Sequence, residues 1–277
     1  MATKKAATTT KKTPAKKSAV VKTTKTTVST APVAAASSSL SDHIQTSLRS
    51  LPLWRALGAE LVGTFLFAGV VIAGQGQPIF VLFGLAGIVL LFGAVSGAYV
   101  NPAITIGALV TRRIGWLRAI GYVIAQLLGA ALAYIVLSGF IGGANAVNAS
   151  AQAYGQTAPA LYAAADVSKL VGKEWFIFFA ELTGTAILGL AMANVSRSRD
   201  NVARSLTAGF GIFVGLMISV SAASYVGATA IINPAVAISL HAYSWANIWP
   251  FAIYAIAPVI GAVVGFVIYD LLKAQKA

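Results

Sequence analysis

The sequence predicts an all-α membrane protein: six transmembrane helices plus two re-entrant half-helices, arranged as an inverted repeat. Three observations carry this: long blocks without charge, a net excess of basic residues in alternate connections while the loop with Asp166, Lys169, Lys173 and Glu174 is balanced, and a pair of motifs that occurs twice.

Of the 277 residues, 58% are hydrophobic and 10% charged. A soluble domain carries about 25% charged residues, so water is not the main solvent. Charged side chains are absent from Leu61 to Thr111, from Ala119 to Ala165 and from Ser205 to Tyr269, His241 counted as neutral. One helical crossing takes roughly 20 apolar residues. Only helices and closed barrels satisfy their backbone inside hydrocarbon, and runs such as Ile79 to Val95 lack the alternation of barrel strands. The chain therefore reads as a helical bundle. With no cysteine, and two histidines (His43 and His241) far apart, neither a metal site nor any cofactor is expected.

Residues 1–39 form a separate tail with eight lysines, no acids and no aromatics. Such a segment cannot bury enough apolar surface to fold alone. A solvated tail that reinforces topology is the leading expectation. Contact with anionic lipid headgroups, weak nucleic-acid binding through KKTPAKK or an organellar transit peptide are the alternatives. Residues 40–54 read as a linker or interfacial segment, 55–272 as the membrane domain and 273–277 as a second tail.

Crossings are expected at about 55–74, 78–98, 119–140, 174–194, 205–226 and 248–271. Lys4 to Lys25 precede the first crossing; Arg112, Arg113 and Arg118 lie between the second and third. Arg197, Arg199 and Arg204 follow the fourth, and Lys273 and Lys276 follow the sixth. The positive-inside rule then puts both termini in the cytoplasm, and an even number of crossings agrees. A cell-membrane location is expected.

AELVGT at 59–64 recurs as AELTGT at 180–185, and NPA at 101–103 recurs at 233–235. Repeat one spans about 55–140 and repeat two about 174–272. Each holds three crossings, so the second enters from the opposite face, an architecture that puts a site at the midplane between halves. Each NPA precedes an apolar run too short to cross, Ile104 to Val110 and Val236 to Leu240. Asn and Pro suit a helix cap and its first position, so Asn101, Pro102 and Ala103, and Asn233, Pro234 and Ala235, should each start a half-helix. Irregular backbone at that depth needs a cavity or protein around it. Both positive helix ends and both asparagine amides would then face one point. A water there accepts from both amides, which interrupts a proton wire, while the helix ends repel cations.

SGAYVNPAIT (96–105), INPAVA (232–237) and the paired AExxGT segments resemble the major intrinsic protein family of aquaporins and glycerol facilitators. The resemblance covers about residues 55–272 and implies the hourglass fold, a homotetramer with one pore per subunit, and passage of water or small neutral solutes. INPAVA followed by Trp245 and Trp249 is similar to the plant vacuolar branch.

Glu60 and Glu181 lie inside crossings at matching places in the repeats. An intramembrane acid is a functional candidate by default, so a proton-coupled carrier is one reading. Buried carboxylates that accept hydrogen bonds from the re-entrant backbone are the other, and it is the role that the resemblance implies. Glycines and alanines four apart, among them Ala125 and Gly129, and Gly261 and Gly265, permit close helix contact.

The pattern departs from the family where the second NPA is usually followed by arginine; here stands Val236. By the resemblance, Phe83, Leu216 and Ala230 complete the narrow selectivity filter. Gly84 to Ser96 is about two residues short for the family, Leu216 to Asn233 is long, and Thr229 replaces a usual glycine. A filter without fixed charge predicts a less strict pore, open to ammonia, urea, glycerol or peroxide beside water. A membrane anchor serving the lysine tail is a further alternative. No nucleophile–base pair or phosphate loop supports an enzyme.

Overall fold

The computed structural model describes residues 40–147 and 160–274; the two lysine-bearing tails at 1–39 and 275–277, and the loop residues Asn148, Ser150 and Pro159, lie outside these. The expectations about tail contacts therefore fall outside the described residues.

Short helix α1 (Leu40–Leu48) precedes α2 (Leu51–Ala73), so the 40–54 segment is mostly helical rather than a plain linker. Ser50 caps α2, accepting from Leu53 N at 3.2 Å, and Pro52 sits in its first turn. Then follow α3 (Pro78–Phe92), half-helix α4 (Pro102–Val110), α5 (Trp116–Val147), α6 (Glu174–Val195) and α7 (Asn201–Ser224). Half-helix α8 (Pro234–Ser239) and α9 (Trp249–Ala274) complete the order.

Among the described residues, α2, α6, α7, α9 and Trp116–Ile141 of α5 are long and apolar enough to cross a bilayer. Helix α3, expected to run to 98, ends at Phe92 after 15 residues. Its ladder continues more loosely, Ser96 N donating to Phe92 O at 3.0 Å and Gly97 N to Gly93 O at 3.2 Å. Arg204 reaches from α7 to hold Gly93 O at 2.7 Å. The chain then turns with positive φ at Gly97, Ala98 and Val100 and descends to α4.

Packing follows the inverted repeat. Helix α2 pairs with α5 as α6 pairs with α9; α3 meets α7 at the centre; α4 rests on α9, and α8 on α5. Small residues set the distances, as their spacing predicted. A Cβ on Gly129 would collide with Leu61 O, on Gly261 with Leu182 O, and on Gly265 with Ala186 O. Ser205 Oγ ties α7 to Ala86 O of α3 at 2.6 Å, and Ser219 Oγ ties α7 to Ala180 O of α6 at 2.8 Å. The outside is apolar: Ile120, Ile124, Leu128 and Leu132 form an exposed stripe along α5, and Val202, Leu206, Phe210 and Val214 another along α7. Stripes of this extent are untenable in water and ordinary against lipid.

Helix α9 is locally widened to i→i+5 spacing at Ala252–Ile256. Pro258 has no N–H to offer Tyr254 O four residues back. The Tyr243 hydroxyl serves that carbonyl instead at 3.1 Å and shares its proton with Pro234 O of α8 at 3.2 Å. One phenol thus joins the second half-helix to the last crossing.

The basic connections converge at one end of the bundle. Arg113 forms a two-pronged contact to Asp270 (2.8 and 3.1 Å), and Arg197 meets the same carboxylate at 2.8 Å.

Candidate functional site

Both half-helices start as their sequences require. Asn101 has extended backbone (φ −156°) and accepts from Ala103 N at 2.9 Å; Asn233 (φ −149°) accepts from Ala235 N at 3.0 Å. Proline stands first in each. The residues before them, Val100 and Ile232, take matching positive φ of 42° and 49°. That turn lets each asparagine reach the other repeat: Asn101 Nδ2 donates to Ile232 O and Asn233 Nδ2 to Val100 O, both at 2.9 Å. The reciprocal bonds lock the two half-helix starts together. Each amide has two N–H groups, so one apiece is left over, and both side chains border a small cavity with Phe67, Ile212 and Leu188.

The turns that feed these starts rest on the two glutamates. Glu60, fully buried, accepts from Tyr99 N (3.0 Å), Val100 N (2.8 Å), Ser96 Oγ (2.6 Å) and Gln126 Nε2 (2.8 Å). Glu181, equally buried, accepts from Ile231 N (2.5 Å) and Ile232 N (2.8 Å). Consecutive backbone N–H groups of a positive-φ turn point the same way, and a carboxylate matches such a pair. Gln126 extends the first cluster to Thr105 Oγ1 at 2.9 Å, whose own hydroxyl bonds Asn101 O.

A second small cavity lies beyond the first, with Phe67 and Ile212 on the walls of both. Each has about 10 Å³ of room for water centres, roughly enough for one water. Leu216 and Ala230 line the second cavity, together with Val81, Ile231 and Leu240. Phe83 does not: it is 67% exposed on the outer face of α3, which excludes it from any narrow wall. The inward residue is Val81, two positions earlier, in keeping with the two-residue shortfall before Ser96. Val236 is buried but absent from that wall. Leu240, just past the end of half-helix α8, lines the cavity instead. A larger hollow of about 520 Å³ sits between α5 and α9, floored by Pro102 and Pro234 and lined by apolar side chains such as Val123 and Val259. It shares no lining residue with the two small cavities.

A model described as major intrinsic protein matches residues 47–269. The chain belongs to the major intrinsic protein family. It is 32% identical to glycerol uptake facilitator protein-like 6 of Lactiplantibacillus plantarum, over 74% of this chain and 92% of that one. Aquaporin-2 of Rattus norvegicus is 31% identical over 83% of each, and aquaporin NIP1-1 of Zea mays 30% identical over 81% of this chain and 77% of its own. The X-ray structure of the aquaglyceroporin from Plasmodium falciparum shares the fold, with a TM-score of 0.56 at 24% identity, covering 81% of this chain and 98% of that one. This family member is thus a multi-pass membrane channel for water or small solutes, and not an enzyme.

Sequence reasoning missed Val81, Tyr162, Ser96 and Gln126. Gln126 had a usable signal, an amide inside an apolar crossing. Tyr162 had none, because loop position leaves no periodic trace.

Proposed function

We propose that this channel conducts water and small uncharged solutes passively in single file, and that the paired asparagines stop protons at the midplane. The reciprocal bonding of Asn101 and Asn233 carries the reading. One N–H per amide remains for a passing molecule, and a water that accepts from both has its own hydrogens turned outward. No continuous donor chain can then run through it. The helix ends add less, because α8 has only six residues. Room for about one water in each cavity favours passage without a hydration shell, which strongly disfavours ions.

The second cavity sets the solute range. Val81, Leu216 and Ala230 offer no charge, and the short side chain of Val236 leaves the space that an arginine would reach into. Ammonia, urea, glycerol or peroxide therefore fit beside water. The facilitator and aquaporin names of the relatives are compatible with either range, and similarity to bacterial, mammalian and plant members alike gives no special weight to a plant vacuolar branch. Convergence of Arg113 and Arg197 at one end supports a cytoplasmic side there. A homotetramer in the cell membrane is the expected assembly. The proton-coupled alternative loses ground because both glutamates are committed to fixed backbone donors.

Uptake of glycerol, urea and ammonia into proteoliposomes, wild type against Val236→Arg, tests this reading. The arginine should exclude at least one solute that the parent admits; identical panels would refute the role given to position 236.

A further inference from the structure

Among the side chains that line the second cavity, Tyr162 is the one with a polar group. It comes from the segment between α5 and α6 and folds back over the turn at Gly76. A Cβ on that glycine would stand 2.7 Å from the phenol oxygen, so only glycine leaves room for the ring. The segment is fastened to the backbone that carries the second half-helix. Ala164 N donates to Leu240 O at 2.9 Å, and Ala165 N to Thr229 Oγ1 at 3.0 Å. The Thr229 hydroxyl also lies close enough to the Tyr162 phenol to act on its proton affinity, and the Thr229 carbonyl accepts from Tyr254 Oη at 2.8 Å.

A threonine hydroxyl has one proton and two lone pairs. Thr229 Oγ1 accepts from Ala165, so its proton is available for the Tyr162 oxygen. The phenol's own O–H is then left to donate. Burial holds the phenol neutral, its pKa raised above the ordinary value with the neighbouring Thr229 hydroxyl acting against that rise.

We propose that Tyr162 is a specificity-determining residue of the conduit, its hydroxyl donating to neutral solutes in an otherwise apolar constriction, with Thr229 setting its orientation. The inference rests on the channel reading above. The solutes favoured are small, uncharged and rich in acceptor lone pairs, such as urea and short polyols. Water keeps partners ahead and behind in a file; a larger solute fills the constriction and must find its partner on the wall. Loss of the donor therefore penalises urea and glycerol more than water. One hydrogen bond of ordinary strength corresponds to roughly fivefold in rate.

The experiment uses the full chain in proteoliposomes, with osmotic water, urea and glycerol permeabilities measured on the same preparations. Tyr162→Phe keeps the ring and should lower the urea-to-water and glycerol-to-water ratios by about fivefold. Thr229→Gly should move both ratios the same way by less. Tyr162→Ala opens the constriction and should raise the glycerol-to-water ratio above wild type. Using ratios removes any common loss from poor folding, and Tyr162→Phe alone decides the matter where the alanine variant does not reconstitute. Ratios within twofold of wild type for Tyr162→Phe, with the parent conducting, overturn the proposal and leave the channel reading intact. A parent that conducts none of the three overturns both.

Discussion

Replacing Glu60 by glutamine changes one oxygen for an NH2 group, and the neighbours of that atom set the cost. Glu60 Oε1 accepts from Tyr99 N and Ser96 Oγ, while Oε2 accepts from Val100 N and Gln126 Nε2. Whichever way the new amide is turned, its NH2 faces one backbone N–H and one side-chain donor. The Ser96 hydroxyl or Gln126 amide can rotate away; the backbone cannot. A buried donor left unmade costs about 1–3 kcal/mol, and re-turning the second donor disturbs either Ala98 N, bonded to Ser96 Oγ, or Thr105, bonded to Gln126. Glu60→Gln should therefore cost roughly 2–5 kcal/mol, a large part of typical stability. Glu181→Gln faces a single backbone N–H, Ile231 or Ile232, and should cost about 1–3 kcal/mol. Thermal unfolding of both variants in detergent, followed by intrinsic fluorescence, ranks them. Equal melting points, or Glu181→Gln as the less stable, would refute the reasoning. The same pair tests the carrier alternative: pH-gradient-driven uptake abolished by Glu60→Gln in a protein of unchanged stability would mean a proton relay rather than a scaffold.

Other consequences follow from the packing. Gly265→Val puts bulk against Ala186 O and Leu190 N; α6 and α9 must separate, and folded yield after extraction should collapse. Tyr243→Phe removes the donor that serves Tyr254 O across from Pro258; a loss of about 1–2 kcal/mol should appear as a lower melting point, with Tyr269→Phe as a control that loses only its bond to Asn194. Asp270→Asn weakens two arginine contacts, of which Arg113 is the more buried; about 1–2 kcal/mol is expected, largest at low salt and shrinking as salt is raised.

The membrane class and the half-helix starts were legible because long uncharged runs and an Asn-Pro pair each have one economical structural meaning in lipid. Duplicated AExxGT segments likewise placed Glu60 and Glu181 beside the re-entrant turns. Less legible were features set by tertiary contact. At the end of α3, Arg204 reaches Gly93 O from another helix, a contact that sequence spacing does not reveal. The widened stretch in α9 depends on Pro258 and on a tyrosine fifteen residues before it, whose hydroxyl replaces the missing N–H. The filter suffered most: the segment from Gly84 to Ser96 is about two residues short, and the inward position is Val81 rather than Phe83, since one face of a helix turns outward within two residues. Tyr162 reaches the cavity by loop geometry alone.

The central claim is that the junction of Asn101 and Asn233 passes neutral molecules and blocks protons. Its most direct test is stopped-flow shrinkage of proteoliposomes loaded with a pH-sensitive dye, read once under an osmotic step and once under a pH step. The account predicts shrinkage well above that of empty liposomes, with a low activation energy, and a dye response no faster than theirs. Shrinkage at the empty-liposome rate, or rapid collapse of the pH gradient, would contradict it.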